Sequence, residues 1–169
     1  MASHLLSLLW TTTSFVGIVW AANNDGVYSC KDPKFLHAND FSFSRLRFPT
    51  PTTSMRRKRV LTTVFDRELP GLNTLGISML LFDFAVGDFV APHVHFRGTE
   101  IFMVLRGSIL VSFNISAPIH RQYTKVIRAG DVFVIPKGLY HSQKNVGNID
   151  STVIAAFNCQ NPDGVPSRR

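Results

Sequence analysis

Residues 87–107 read GDFVAPHVHFRGTEIFMVLRG, and residues 130–145 echo them as GDVFVIPKGLYHSQKN. In an extended segment side chains alternate between faces, so His93 and His95, two apart, leave the same side and can converge on one ion. Glu100 follows across Arg97-Gly98, where a turn back into a hairpin would set its carboxylate beside the two imidazoles. The second stretch has a Gly-Asp turn, an apolar strand from Val132 to Ile135, and a Pro136-Lys137-Gly138 turn. It then delivers His141 into a new strand as a fourth ligand. Taken singly, a His after a turn is a loop residue and a Glu is a solvated charge. Gathered at one end of a β-structure, these groups are costly to bury unless a cation joins them.

Gly87, His93, His95, Glu100 and Gly107 fall at the spacing G-x5-H-x-H-x4-E-x6-G. Gly130, Pro136, Gly138, His141 and Asn145 fall at G-x5-P-x-G-x2-H-x3-N. The pair resembles the two motifs of the cupins, in the form they take in plant germins and germin-like proteins. The flanking Cys30-Lys31-Asp32-Pro33, Pro70 to Gly76, Asn145 to Asn148 and Gln160-Asn161-Pro162 are similar to the same family, so the likeness runs from about Cys30 to Asp163. It implies an all-β fold, a cupin jelly-roll β-barrel behind an irregular N-terminal extension.

Short β-rich runs by themselves suggest a sandwich or barrel, which the resemblance narrows to the cupin jelly roll. Val60–Phe65, Gly76–Phe84, Glu100–Leu105, Ser108–Phe113, Tyr123–Ile127, Asp131–Ile135, Leu139–Lys144 and Ser151–Phe157 are each bounded by Gly, Pro, Asn or Asp. No long segment shows helical periodicity. The 169 residues suffice for one domain with a sizeable core, and 14 Phe with only 17% charged residues suit a filled barrel interior. The expected layout is a signal peptide at 1–21, an N-terminal extension and basic linker at 22–59, the barrel at 60–158 and a short tail at 159–169.

The leader is inferred from Met1 to Ala21, which carries no Lys, Arg, Asp or Glu and ends in Val19-Trp20-Ala21. Its apolar run is short for a membrane span. The expected product is therefore secreted to the extracellular space, the plant apoplast or cell wall by family resemblance, with no membrane attachment after cleavage. Lys and Arg outnumber Asp and Glu by 18 to 11, giving a net charge of +7. No nucleic-acid motif accompanies that charge, so an acidic cell-wall polysaccharide is the preferred polyanionic partner and nucleic acid is not expected. The basic run Arg56 to Arg59 reads as a solvated loop. Asn114-Ile115-Ser116 is a glycosylation sequon at a strand end. In the family two cysteines staple the extension; Cys30 matches the second and the first has no counterpart, so no disulfide of the family type is expected. A Cys30–Cys159 bridge stays open, since sequence says nothing of the approach of the two Cα atoms.

Three imidazoles and one carboxylate suit a first-row divalent metal, with Mn, Fe, Zn, Ni and Cu all compatible, and they disfavour a cysteine-rich structural zinc site. The choice of manganese comes from the resemblance. So do three function classes: a manganese oxidoreductase acting on oxalate or superoxide, a non-enzymatic binding or storage cupin of the wall, and a nucleotide-sugar hydrolase. In oxalate-oxidising germins two asparagines reach the substrate from places occupied here by Leu80 and Val90. That favours superoxide dismutation, in a defence role, over oxalate oxidation. Germins assemble as hexamers through C-terminal helices, whereas this chain has only Asp163 to Arg169 after Pro162. A homodimer of barrels is expected in preference to the hexamer.

Overall fold

The computed structural model describes residues 32–46, 59–115 and 118–166. The leader, Cys30, Arg56 to Lys58 and Ser116 of the sequon lie outside the described residues. The strands are β1 (Arg59–Val64), β2 (Ser78–Phe84), β3 (Phe89–Val94), β4 (Glu100–Arg106), β5 (Ser108–Ile115), β6 (Arg121–Arg128), β7 (Val132–Ile135), β8 (Tyr140–Asn145), β9 (Ser151–Phe157) and β10 (Val165–Pro166). Among the described residues the only helical pieces are 3-10 turns at Pro33–Phe35, Ala38–Phe41 and Pro70–Leu72.

The strands form two antiparallel sheets, ordered β1-β2-β9-β4-β7 and β10-β3-β8-β5-β6. The chain crosses repeatedly from one sheet to the other, the jelly-roll way of making a closed core from antiparallel strands. Phe82, Phe84, Phe102, Val104, Ile109 and Val111 are among the buried residues that fill the space between the sheets. In β4 and β5 burial alternates with period two, which is why those strands are legible as half-buried. In β2 and β9 it does not, because both faces are largely covered.

The two quoted stretches fold onto each other strand by strand. The first supplies β3 and β4, the second β7 and β8; β3 pairs with β8 while β4 pairs with β7. The expected hairpin across Arg97-Gly98 is not formed. β3 and β4 belong to different sheets, and residues 95–99 carry the chain across the end of the barrel. Gly98 is needed there for space, since a Cβ would sit 3.0 Å from the Cβ of Cys159.

Two further details fix the frame. Gly107, with φ +85°, turns β4 into β5 where any Cβ would collide with Ser151. Asn145 is fully buried, and its amide donates to the carbonyls of Ala85 and Ile149 at 3.1 and 2.9 Å while its oxygen accepts the Gly147 N–H at 2.9 Å. This motif asparagine ties the β2–β3 loop to the β8–β9 loop. The segment set apart as a tail also enters the fold, because Val165 and Pro166 pair with Val94 and His93 along the edge of the second sheet.

Candidate metal centre

His93 and His141 are direct register partners across β3 and β8. A cross-strand pair of that kind holds its side chains side by side, and the two ring centroids are 4.2 Å apart. The register slips between Val90 and His93, so β3 holds one extra residue there. Pro92, which has no N–H to give to a ladder, falls in that bulge. The slip puts Val90 and His93 on the same inward side although they are three apart. His95 follows just beyond β3, its ring 4.9 Å from that of His93, and Glu100 opens β4. The ligand atoms of His93, His95, Glu100 and His141 all lie within 4.8 Å of one another. The four residues foreseen from the sequence are thus brought together.

Each imidazole is oriented by a backbone carbonyl. Nδ1–H of His93 donates to Ala91 at 3.0 Å, that of His141 to Leu139 at 2.9 Å, and that of His95 to Asp163 at 3.0 Å. All three Nε2 atoms are therefore left as potential donors to a metal, the arrangement that sets a ligand's tautomer. His141 Nε2 lies 3.1 Å and His95 Nε2 3.5 Å from the same Glu100 oxygen. An imidazole lone pair and a carboxylate oxygen repel at such distances unless a proton or a cation lies between them. The other Glu100 oxygen is buried with no hydrogen-bond partner. A buried carboxylate with one oxygen against two imidazole nitrogens and the other left unpaired is what a bound divalent ion would satisfy, so the residues fit a first-row metal.

Electrostatics follow from burial. Burial and the neighbouring His141 hold His93 down at about 4, against an ordinary 6.5. Burial opposes charge on His95 too, but its contacts with the Glu100 carboxylate win and raise its pKa. Burial likewise opposes the Glu100 carboxylate, yet the hydrogen bonds from His141 and His95 bring it to about 2, so it stays ionised.

Around the cluster, Leu80 is a buried core residue and Val90 packs against the same core, so neither contributes a polar atom. Gln143 was not foreseen. It sits two residues after His141 on the same inward face of β8, opposite Val90, and both polar atoms of its buried amide lack partners. The period of two from His141 was the signal that could have found it. Asn114 lies one residue from the end of β5, exposed, between Gln122 and Tyr140 of the neighbouring strands. Cys159 is buried, a free thiol that donates to the Asn161 carbonyl.

A two-sheet jelly roll with three histidines and a glutamate at the meeting of its paired motif strands is the architecture of a cupin with a metal-type site. The cupin family profile matches residues 44–167, and the chain belongs to that family, in its germin-like group. Germin-like protein subfamily 1 member 10 of Arabidopsis thaliana is 47% identical over 133 residues, covering 79% of this chain and 59% of that protein. The solved structure of an oxalate oxidase superposes with a TM-score of 0.77 at 39% identity, over 82% of this chain and 69% of that one. Peruvianin-I, described as a cysteine peptidase from Thevetia peruviana latex, superposes with a TM-score of 0.75 at 31% identity, over 83% and 85%. The chain spans about 60% of the length of the curated relatives it matches.

Proposed function

We propose that this germin-like chain holds one divalent metal ion, manganese on family grounds, through Nε2 of His93, His95 and His141 and the carboxylate of Glu100. The observation that carries the reading is the set of three Nδ1–H donors tied to carbonyls, which leaves three Nε2 atoms gathered about one buried carboxylate. Bound there, the ion would supply a change of oxidation state and open coordination positions for a small anion.

The surrounding residues decide which anion suits the site. Oxalate is a dianion whose outer oxygens need hydrogen-bond donors in a dry pocket. Leu80 and Val90 supply none, and Gln143 supplies one amide. Each missing bond to a charged group costs about 1.5–3 kcal/mol, so two together reduce turnover by roughly 100-fold or more. Superoxide needs only a free position and a positive approach field, which the surplus of 18 basic over 11 acidic residues favours. Superoxide dismutation in a plant extracellular defence setting is therefore the reading preferred to oxalate oxidation, to nucleotide-sugar hydrolysis and to a purely binding or storage role. Secretion by the 1–21 leader and a glycan on Asn114 belong to the same proposal. Superoxide removal by manganese-loaded wild type, absent from His93→Ala, is the test. Turnover of nucleotide sugars, or a wild type inert toward both substrates, would move the reading to the hydrolase or the binding class.

The assembly proposed is a homodimer. Met79, Ile101, Met103, Val132 and Val134 lie exposed on the first sheet, and Ala156 of β9 is the register partner of both Met79 and Ile101, which links the β2 side of this apolar face to β4 and β7. Apolar surface of that extent is uncommon on a solitary chain. Contact with acidic wall polysaccharide rests on net charge alone and would show as salt-sensitive retention on pectate.

A further inference from the structure

Two of the three imidazole acceptors are local. Ala91 and Leu139 each lie two residues before the histidine they orient, within or beside its own strand. The acceptor for His95 comes from 68 residues away, as the carbonyl of Asp163, with that of Pro162 also near at 3.3 Å. The orientation of His95 therefore depends on a tertiary contact, and the segment making that contact lies directly on the site. A Cβ on Gly164 would lie 3.6 Å from the rings of both His93 and His95, so the backbone passes over the two imidazoles with room for one carbon and no more. β10 then pairs with His93 and Val94.

Two features hold the carbonyl where it is. Asp163 has φ +39°, a left-handed conformation that Asp and Asn tolerate better than most residues. Its carboxylate meets Arg97 Nη1 at 3.3 Å, which joins the segment to the loop between His95 and Glu100. A half-exposed ion pair contributes little energy of its own. Its role here is geometric, since it links the segment at Asp163 to the loop between His95 and Glu100.

We propose that Asp163 is a positioning residue for His95. Its carbonyl fixes the ring as the Nδ1–H tautomer with Nε2 aimed at Glu100, and the strand from Gly164 to Pro166 keeps that carbonyl in place. This rests on the metal-centre reading above. Partners that orient a metal-binding histidine typically change metal affinity by roughly 10–100-fold when removed. A fixed negative φ is incompatible with the observed backbone at residue 163, so Asp163→Pro should lift the carbonyl away. Gly164→Val adds two methyls beyond a Cβ already in contact with both rings, so it should also push the strand away, and it guards against a proline variant that fails to fold.

The experiment is Mn(II) titration followed by the electron paramagnetic resonance of free ion, with ring 15N spectra of His95 recorded on the metal-free protein. Recorded at alkaline pH, where the ring is neutral, wild type should carry its proton on Nδ1 of His95, and both variants should lose that preference. Mn(II) affinity should fall by roughly 10–100-fold in both, while Asp163→Asn, which keeps the carbonyl and tolerates the left-handed backbone, restores it. Wild-type affinity in either folded variant overturns the proposal, as does a His95 ring already lacking the Nδ1 proton in wild type. A wild type that takes up no Mn(II) overturns the metal-centre reading and with it the affinity claim, while the ring spectra still decide whether Asp163 orients His95.

Discussion

At the scale of single residues, the ionisation of the cluster predicts how the metal-free protein responds to pH. His93 is held at about 4 when folded against 6.5 when free, so the unfolded chain takes up that proton first and stability falls as pH drops from 6.5 toward 4. Glu100, brought from 4.5 to about 2, contributes stability that is present above 4.5 and is lost as pH falls through 2. His95 acts in the opposite sense. Its raised pKa gives a contribution that is full below 6.5 and is lost as pH rises through the folded value. The melting temperature of the chelator-treated protein should therefore pass through a maximum near pH 6.5, with an acid limb that is shallower in Glu100→Gln. A melting temperature that climbs steadily toward pH 4 would contradict this assignment of charges. The two aliphatic positions make a separate prediction. Installing asparagine at both Leu80 and Val90 should raise oxalate turnover by roughly 100-fold if hydrogen-bond donors are what the pocket lacks. Because Leu80 is a core residue, the pair should also cost about 2–5 kcal/mol of stability, measurable by urea denaturation. Unchanged oxalate turnover in a folded, metal-loaded double variant would remove the argument.

At the scale of strands and turns, Gly107 gives the most direct test. Gly107→Ala forces a side chain into a left-handed turn already occupied by Ser151, and should destabilise the barrel by about 1–3 kcal/mol in equilibrium unfolding. Partial recovery is expected with Ser151→Gly. Much at this scale was readable from the chain, for local reasons. The His93–His95 spacing, the alternation in β4 and β5, and the Gly and Pro punctuation all act within a few residues. What escaped reading depends on partners far apart in sequence. The crossing from β3 to β4 reads as a hairpin because a Gly after an Arg is compatible with either, and only sheet membership distinguishes them. The bulge at Pro92 has no local signature beyond the proline itself. The acceptor for His95 sits on a segment that reads as a tail, since two residues of edge strand carry no periodicity. Gln143 was within reach by counting from His141, but a polar residue in a β-run reads first as an outward one.

At the scale of the whole molecule, the exposed apolar face built from β2, β4 and β7 predicts self-association. Sedimentation should show a dimer for wild type, and a charge within that face, as in Met103→Asp, should yield monomer with an unchanged metal content. A stable hexamer, or a wild type monomeric at high concentration, would contradict the proposed assembly. The architecture also explains why a few residues can organise so much of the site: each motif places one strand in each sheet, so pairing β3 with β8 and β4 with β7 closes the barrel and gathers the four side chains in one event. Folding and site assembly are thus coupled, and an ion that binds only the folded state must stabilise it. The most direct test is the metal content and melting temperature of purified wild type against His141→Ala. One divalent ion per wild-type chain is expected, with its loss in the variant and a stabilisation by added Mn(II) worth about 2.7 kcal/mol at 100 times the dissociation constant in wild type alone. Equal metal stoichiometry in the two proteins would contradict it.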